Sequence, residues 1–185
     1  LIHAGDMNDE WGSAVTPIYQ TSTFAFKSAK HGADCFAGKE KGFIYTRIGN
    51  PTIEVLEKKI AVLENGFGGI ALSSGMAAVT TVYMALLSKD SHILSTSAIY
   101  GPSRSVLETH FMKFGVECTF VDTSIIENIE KNIRNNTKIL YIETPANPTV
   151  QITDVEVASE IAHKHGVLVV VDNTFCSPYL QQPLN

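Results

Sequence analysis

Leu168–Tyr179, LVVVDNTFCSPY, is the stretch from which the fold can be read. Four consecutive apolar residues, three of them valine, suit a strand covered on both faces of a parallel sheet. Asp172 stands where that strand emerges, and ligands of open α/β sheets collect outside the carboxyl ends of the strands. An isolated ionised carboxylate is costly to bury, so Asp172 needs a partner. Two readings compete on the stretch alone. Asp172 caps a local turn through Asn173 and Thr174, or it waits for a ligand.

Outward from this stretch the chain alternates between helix and strand periods. Pro51 is placed for a first helical turn, Ile53, Leu56, Ile60 and Leu63 follow at helical spacing, and Gly66 stops the helix. The pattern then predicts strands at Ile70–Ser73, Ile93–Ser95, Cys118–Val121, Lys138–Glu143 and Leu168–Asp172. Helices are predicted between them at Met76–Leu87, about Ser103–Phe114, Ile125–Ile133 and Val155–Lys164. Successive β-α units imply an α/β fold with a mainly parallel sheet, right-handed crossovers and helices on both faces. Residues 1–45 are different. They hold scattered glycines and only one short periodic run, Tyr19–Phe26, too little for a core of their own. Trp11, Tyr19, Phe24, Phe26, Phe36 and Phe43 indicate that this segment is an arm that docks, with a partner subunit as a plausible surface. The expected organisation is an arm over 1–45 and an α/β domain over 46–185.

Composition narrows the classes. The chain has 185 residues, 44% of them hydrophobic and 18% charged, with a net charge of −5. Such a balance gives no electrostatic case for nucleic acid or an anionic membrane as partner. Apolar runs are of strand length, which predicts no membrane span. Cys35, Cys118 and Cys176 form no CxxC pair, and the histidines show no HExxH spacing, so no metal site and no disulfide framework are expected. Free thiols and the lack of a leader-like N-terminal pattern lead to the expectation of a cytoplasmic protein. A first residue that is not Met, and an end shortly after a strand, lead to the expectation of a piece of a longer protein.

Four loops carry residues capable of chemistry. Ser73-Ser74-Gly75-Met76-Ala77-Ala78 joins a strand to a helix with small residues, a geometry that aims backbone N–H groups and the helix dipole at a phosphate, or is simply a tight turn. Gly66-Phe67-Gly68-Gly69 has neither Walker A nor GxGxxG spacing, which disfavours dinucleotides and nucleoside triphosphates. Tyr45 and Arg47 are two apart. In an extended piece they share a face, where Arg47 could fork onto phosphate or carboxylate oxygens or remain a surface arginine. Tyr100 could offer a flat face to an aromatic ligand and a hydroxyl for proton transfer, or could pack in the core. Two prolines in Glu143–Thr149 stiffen the loop that presents Asn147, unless this is an Asn-Pro turn with no ligand. Gly75, Tyr100, Asn147 and Asp172 fall at one edge of the expected sheet, and packing explains that convergence less well than it explains any single member.

Taken in order, TPIYQTSTF, YTRIGNPT, SSGMAA, the YG at Tyr100-Gly101, ETPANPT and VVVDNTF resemble the Cys/Met-metabolism family of pyridoxal-phosphate enzymes, of fold type I. The resemblance runs over nearly all of the sequence. It implies a three-layer sandwich of the PLP-dependent transferase type, incomplete at the C-terminus, with pyridoxal 5'-phosphate as cofactor and an amino acid as substrate. By the same resemblance Ser74, Gly75 and Met76 belong to the phosphate site, and Tyr45 and Arg47 reach the phosphate of a neighbouring subunit. A dimeric catalytic unit, commonly paired into a homotetramer, is implied. Tyr100 would stack on the pyridine ring and protonate the leaving sulfur. Asn147 would contact the ring 3-oxygen side and orient the substrate carboxylate. Asp172 would ion-pair with the ring nitrogen so that the ring can accept electrons, with Thr174 against the ring. The lysine that forms the Schiff base follows Asp172 on a later loop in this family, in an S-x-T/S-K-type string, and none of the lysines present lies in such a string.

Within the family, GADCFAGKEKGFIYTRIGNPT is most similar to methionine γ-lyases, which produce methanethiol, 2-oxobutyrate and ammonia. Pro102 departs from that pattern, because many of those enzymes have cysteine two residues after the stacking tyrosine. Cystathionine γ-lyase, cystathionine γ-synthase and O-acetylhomoserine sulfhydrylase share the cofactor residues and stand as alternatives. A cofactor-fold protein without catalysis is the alternative of another class.

Overall fold

A computed structural model describes residues 3, 5–7 and 9–185. The chain divides into two units, one running to Ala71 and including Leu184, the other formed by Leu72–Pro183 with Asn185.

The first unit is built around two helices, α1 (Ala29–Phe36) and α2 (Pro51–Leu63). The sequence pattern did not foresee α1, because its glycine and polar residues hide the period. Its start is nonetheless signalled: the Ser28 hydroxyl accepts the His31 N–H at 3.1 Å. Gly32 is needed there, since a Cβ would lie 2.9 Å from the Phe26 ring. Asn50 caps α2 by accepting from the Thr52 N–H, with Pro51 at the first helical position as predicted. The same asparagine donates to Tyr19 O and Thr46 Oγ1, and Thr52 Oγ1 accepts from Tyr19 N while donating to Pro17 O. The arm is thereby stitched to the start of α2. Ile53, Leu56 and Ile60 do form a helical stripe, but the stripe is exposed.

The second unit holds a parallel sheet, β1 (His92–Thr96), β2 (Glu117–Val121), β3 (Thr137–Glu143) and β4 (Leu168–Asp172), in the order β2-β1-β3-β4. Helices α3 (Gly75–Leu86), α4 (Gly101–Thr109), α5 (Glu127–Asn132) and α6 (Val155–Lys164) complete it. Strand alternation splits the core in two. Ile93, Ile139 and Tyr141 pack with Tyr83 of α3 and Leu107 of α4 on one side. Leu94, Leu140 and Ile142 pack with Ile129 of α5, Ala158 and Ala162 of α6 on the other. These are the three layers expected from the sequence.

Two expectations are corrected. Ile70–Ser73 is not a strand; the Ala71 N–H bonds to the Glu57 carboxylate at 2.8 Å instead of entering a ladder. The helix over Ser103–Phe114 is broken: α4 ends at Thr109, and a 3₁₀ turn over Phe111–Phe114 closes on Gly115 at φ +82°. β4, expected to be covered on both faces, packs Val169 against one core cluster and Val170 against the other, and stands last in the strand order of the described residues with Leu168 54% exposed.

Candidate active site

The sheet brings its carboxyl ends together because the strands are parallel and in register: Ser95 pairs with Tyr141, and Glu143 with Asp172. Beside these ends lies a cavity of about 350 Å³. Gly75 and Met76 at the start of α3, Tyr100 ahead of α4, Asn147, Asp172 and Thr174 all line it. Six of the nine sequence-predicted site residues therefore meet in one place.

The start of α3 is shaped for an anion. The Ser74 hydroxyl accepts the Ala77 N–H at 3.1 Å, so Ser74 serves as the N-cap and its side chain is already used. The N–H groups of Gly75 and Met76 belong to the first turn, where no intrahelical acceptor exists. A Cβ added at Gly75 would meet nothing within 4 Å, so the space in front of the helix is open. Positive helix dipole and free donors converge there.

Elsewhere in the cavity lining both readings of Asp172 hold at once. Its Oδ1 accepts the Thr174 backbone N–H at 3.1 Å and the Thr174 hydroxyl at 2.5 Å, which is the local turn. Its Oδ2 accepts the Tyr141 hydroxyl at 3.0 Å. Tyr141 is 1% exposed, and burial, reinforced by Tyr83 and Asp172, pushes its phenol pKa far up. It therefore stays a donor at any working pH and pins the carboxylate in place.

Sequence reasoning passed over Tyr141 and Glu143. Glu143 is buried, its Oε2 accepts the Tyr100 N–H at 2.6 Å and its Oε1 the Asn147 N–H at 3.2 Å. Burial raises its pKa, the two N–H groups pull it down, and Asp172 pushes it up again. Tyr141 was read as strand interior and Glu143 as the strand's last residue, opening the loop of Asn147; the signal that could have found them is their side of the strand, since Tyr141, Glu143 and the cavity face alternate with Leu140 and Ile142. The cavity wall thus carries two carboxylates and no Lys, Arg or His among the described residues. Its remaining surface is mainly aliphatic and aromatic. Such a site suits a flat, cationic aromatic group with an anionic tail.

Tyr45 and Arg47 belong to the first unit and line a separate hollow there with Tyr19 and Asn50. They are not in an extended piece. Ile48 N and Gly49 N both bond to Tyr45 O, a turn that lays the Arg47 guanidinium 5.0 Å from the centre of the Tyr45 ring. The loop carrying Asn147 has cis peptides at Thr144–Pro145 and Asn147–Pro148 and is closed by Val150 N to Ala146 O and Ala146 N to Gln151 O. Cys35, Cys118 and Cys176 are free thiols, and no cluster able to hold a metal occurs among the described residues.

A family model described as Cys/Met metabolism PLP-dependent enzyme matches residues 1–185. The L-methionine gamma-lyase of Fusobacterium nucleatum subsp. nucleatum is 48% identical over 184 residues, 99% of this chain and 47% of that protein. The cystathionine gamma-lyase of Bacillus subtilis is also 48% identical, over 185 residues, 100% of this chain and 46% of that one. Among solved structures, a candidate O-acetylhomoserine (thiol)-lyase of Campylobacter jejuni carrying N'-pyridoxyl-lysine-5'-monophosphate superposes with a TM-score of 0.91 at 34% identity, covering 99% of this chain and 45% of that one. The chain spans about half the length of the relatives it matches.

Proposed function

This chain belongs to the Cys/Met metabolism family of PLP-dependent enzymes, and from that premise we propose that the whole protein eliminates the γ-substituent of L-methionine, releasing methanethiol, 2-oxobutyrate and ammonia. The observation that carries the site is the cavity itself, whose lining joins two carboxylates to the open start of α3. Its donor set fits pyridoxal phosphate: N–H groups for the phosphate, an acid for the ring nitrogen, an aromatic side chain for the ring face.

Bound there, the cofactor supplies an electron-accepting ring that stabilises negative charge developing on the substrate. The chain's own residues do the rest. Gly75 and Met76 would hold the phosphate through their N–H groups, with Ser74 holding the turn that presents them. Asp172, fixed by Tyr141 and Thr174, would keep a proton on the ring nitrogen, with Thr174 serving the ring beside it. Tyr100 would offer its flat face to the ring and its phenolic proton to the departing sulfur. Asn147 would serve the ring 3-oxygen side and orient the substrate carboxylate. The lysine that moves the α-proton lies outside residues 1–185 in this reading, so the 185 residues alone are expected to be inactive.

Residues 1–45 act as an arm on a neighbouring subunit, and the domain proper begins at 46. Tyr45 and Arg47 complete the neighbour's phosphate site, which makes the catalytic unit a dimer and the assembly a homotetramer. The exposed stripe of Ile53, Leu56 and Ile60 supports such an interface. No helix among the described residues is long and apolar enough to cross a membrane; we place the protein in the cytoplasm, where its free thiols would stay reduced.

Cystathionine γ-lyase activity is the second reading, favoured by the 48% identity to the Bacillus subtilis protein and by Pro102. Full-length protein incubated with methionine alone decides between them. Formation of 2-oxobutyrate from methionine is expected; its release from cystathionine but not from methionine would overturn the first reading.

A further inference from the structure

Glu143 closes β3 with 2% of its surface exposed. Its carboxylate makes two hydrogen bonds, to backbone N–H groups on two different loops. Oε2 takes Tyr100 at 2.6 Å, and Oε1 takes Asn147 at 3.2 Å. No cation pairs with it among the described residues, and its register neighbour on β4 is another acid, Asp172. A buried carboxylate in that position is costly. Glutamine would fill the same volume without the charge, yet it could not do the same work. Both partners are donors, and an amide offers an acceptor on one side only, whereas a carboxylate accepts on both. Tyr100 has special need of such a tie: it stands at the N-cap of α4, and its own side chain makes no capping hydrogen bond. Glu143 is thus, among the described residues, the one side chain that holds the backbone of both.

We propose that Glu143 is a positioning residue that sets the Tyr100 ring and the Asn147 amide relative to each other, so that the cofactor ring is gripped in a single orientation. This rests on the reading of the cavity as the pyridoxal-phosphate site. A cationic ring nitrogen seated at Asp172 would also ease the proximity of the two acids. Glu143 itself need not touch the substrate.

The test uses full-length protein and the variant Glu143→Gln, with pyridoxal phosphate as the probe. One of the two N–H groups then faces an amide NH₂, and a loop shifts. A misplacement of this kind is expected to lower kcat per bound cofactor by about tenfold to a hundredfold. Two readouts apart from activity accompany it: a dissociation constant for pyridoxal phosphate raised about tenfold by the looser grip, and a reduced visible circular-dichroism band at cofactor saturation. Glu143→Asp, which keeps the charge but falls one methylene short, is expected to show the same losses and carries the test if the glutamine variant does not accumulate. A residue that served the fold alone would lower the melting temperature and leave kcat per bound cofactor and the visible band as in the wild type, and that result would overturn the proposal. If wild-type protein takes up no cofactor, the site reading itself fails, an outcome distinct from a variant that matches a functional wild type.

Discussion

Replacing Asp172 by alanine and by asparagine separates what this carboxylate does for the fold from what its charge does for the site. Three donors converge on it: the Tyr141 hydroxyl at 3.0 Å, the Thr174 N–H at 3.1 Å and the Thr174 hydroxyl at 2.5 Å. Alanine removes every acceptor. Thr174 is exposed, so water takes over its two donors. Tyr141 is 1% exposed, and stranding its hydroxyl is expected to cost about 1–3 kcal/mol. Asparagine keeps an oxygen for Thr174, and its NH₂ can donate to the Tyr141 oxygen. Its expected cost is under about 1 kcal/mol. Both changes erase the charge proposed to hold a proton on the ring nitrogen. Losing one preorganised electrostatic contact of this kind costs about 10²–10³ in rate. The assay is 2-oxobutyrate release by full-length protein at saturating pyridoxal phosphate, beside thermal unfolding of the apoprotein. The expected pattern is a similar loss of rate in both variants and an unequal loss of stability. Near-normal turnover by Asp172→Asn would refute the role given to the charge, and equal stability losses would refute the role given to Tyr141.

Other consequences are equally open to measurement. Gly75→Val should change the melting temperature of the apoprotein little, because a Cβ there meets nothing within 4 Å, yet raise the dissociation constant of pyridoxal phosphate at least about tenfold by obstructing the helix start; unchanged affinity would remove the phosphate from that position. Leu140→Ala, at a site with no exposed surface between Leu94 and Ala158, should cost about 2–5 kcal/mol in denaturant unfolding. His92 is buried between the Thr137 and Thr119 hydroxyls, and burial, aided by Arg134, holds its pKa down to about 4 from 6.5. The unfolded chain therefore takes up the proton first. The stability tied to the neutral ring is complete above pH 6.5 and is lost as the pH falls towards 4, at most about 3 kcal/mol. Melting curves across that window should fall less steeply for His92→Gln than for wild type, and identical slopes would contradict the assignment.

Much of this was legible in the residues because helix and strand periods differ and parallel sheets gather their strand ends. Val155–Lys164 and Leu168–Asp172 were read to the residue, and Gly75, Tyr100, Asn147 and Asp172 were placed at the edge where they meet. The misreadings have physical causes. Ile70–Ser73 has strand composition, but Ala71 finds a side-chain acceptor in Glu57 before it finds a ladder. Glu143 and Tyr141 escaped notice because a run such as Thr137–Glu143 is buried on both faces, and nothing in its composition says which side looks into a cavity. What Glu143 does depends on two backbone N–H groups 43 and 4 residues away, a relation visible only once the chain is folded.

The central claim is that the cavity at the carboxyl ends of β3 and β4 seats pyridoxal phosphate, ring nitrogen towards Asp172 and phosphate towards α3. A crystal structure of the full-length protein grown with pyridoxal phosphate measures this directly. A hydrogen bond between the ring nitrogen and the Asp172 carboxylate is expected there, with phosphate oxygens on the N–H groups of Gly75 and Met76. A ring bound with its nitrogen away from Asp172, or a phosphate held anywhere but the start of α3, would contradict it.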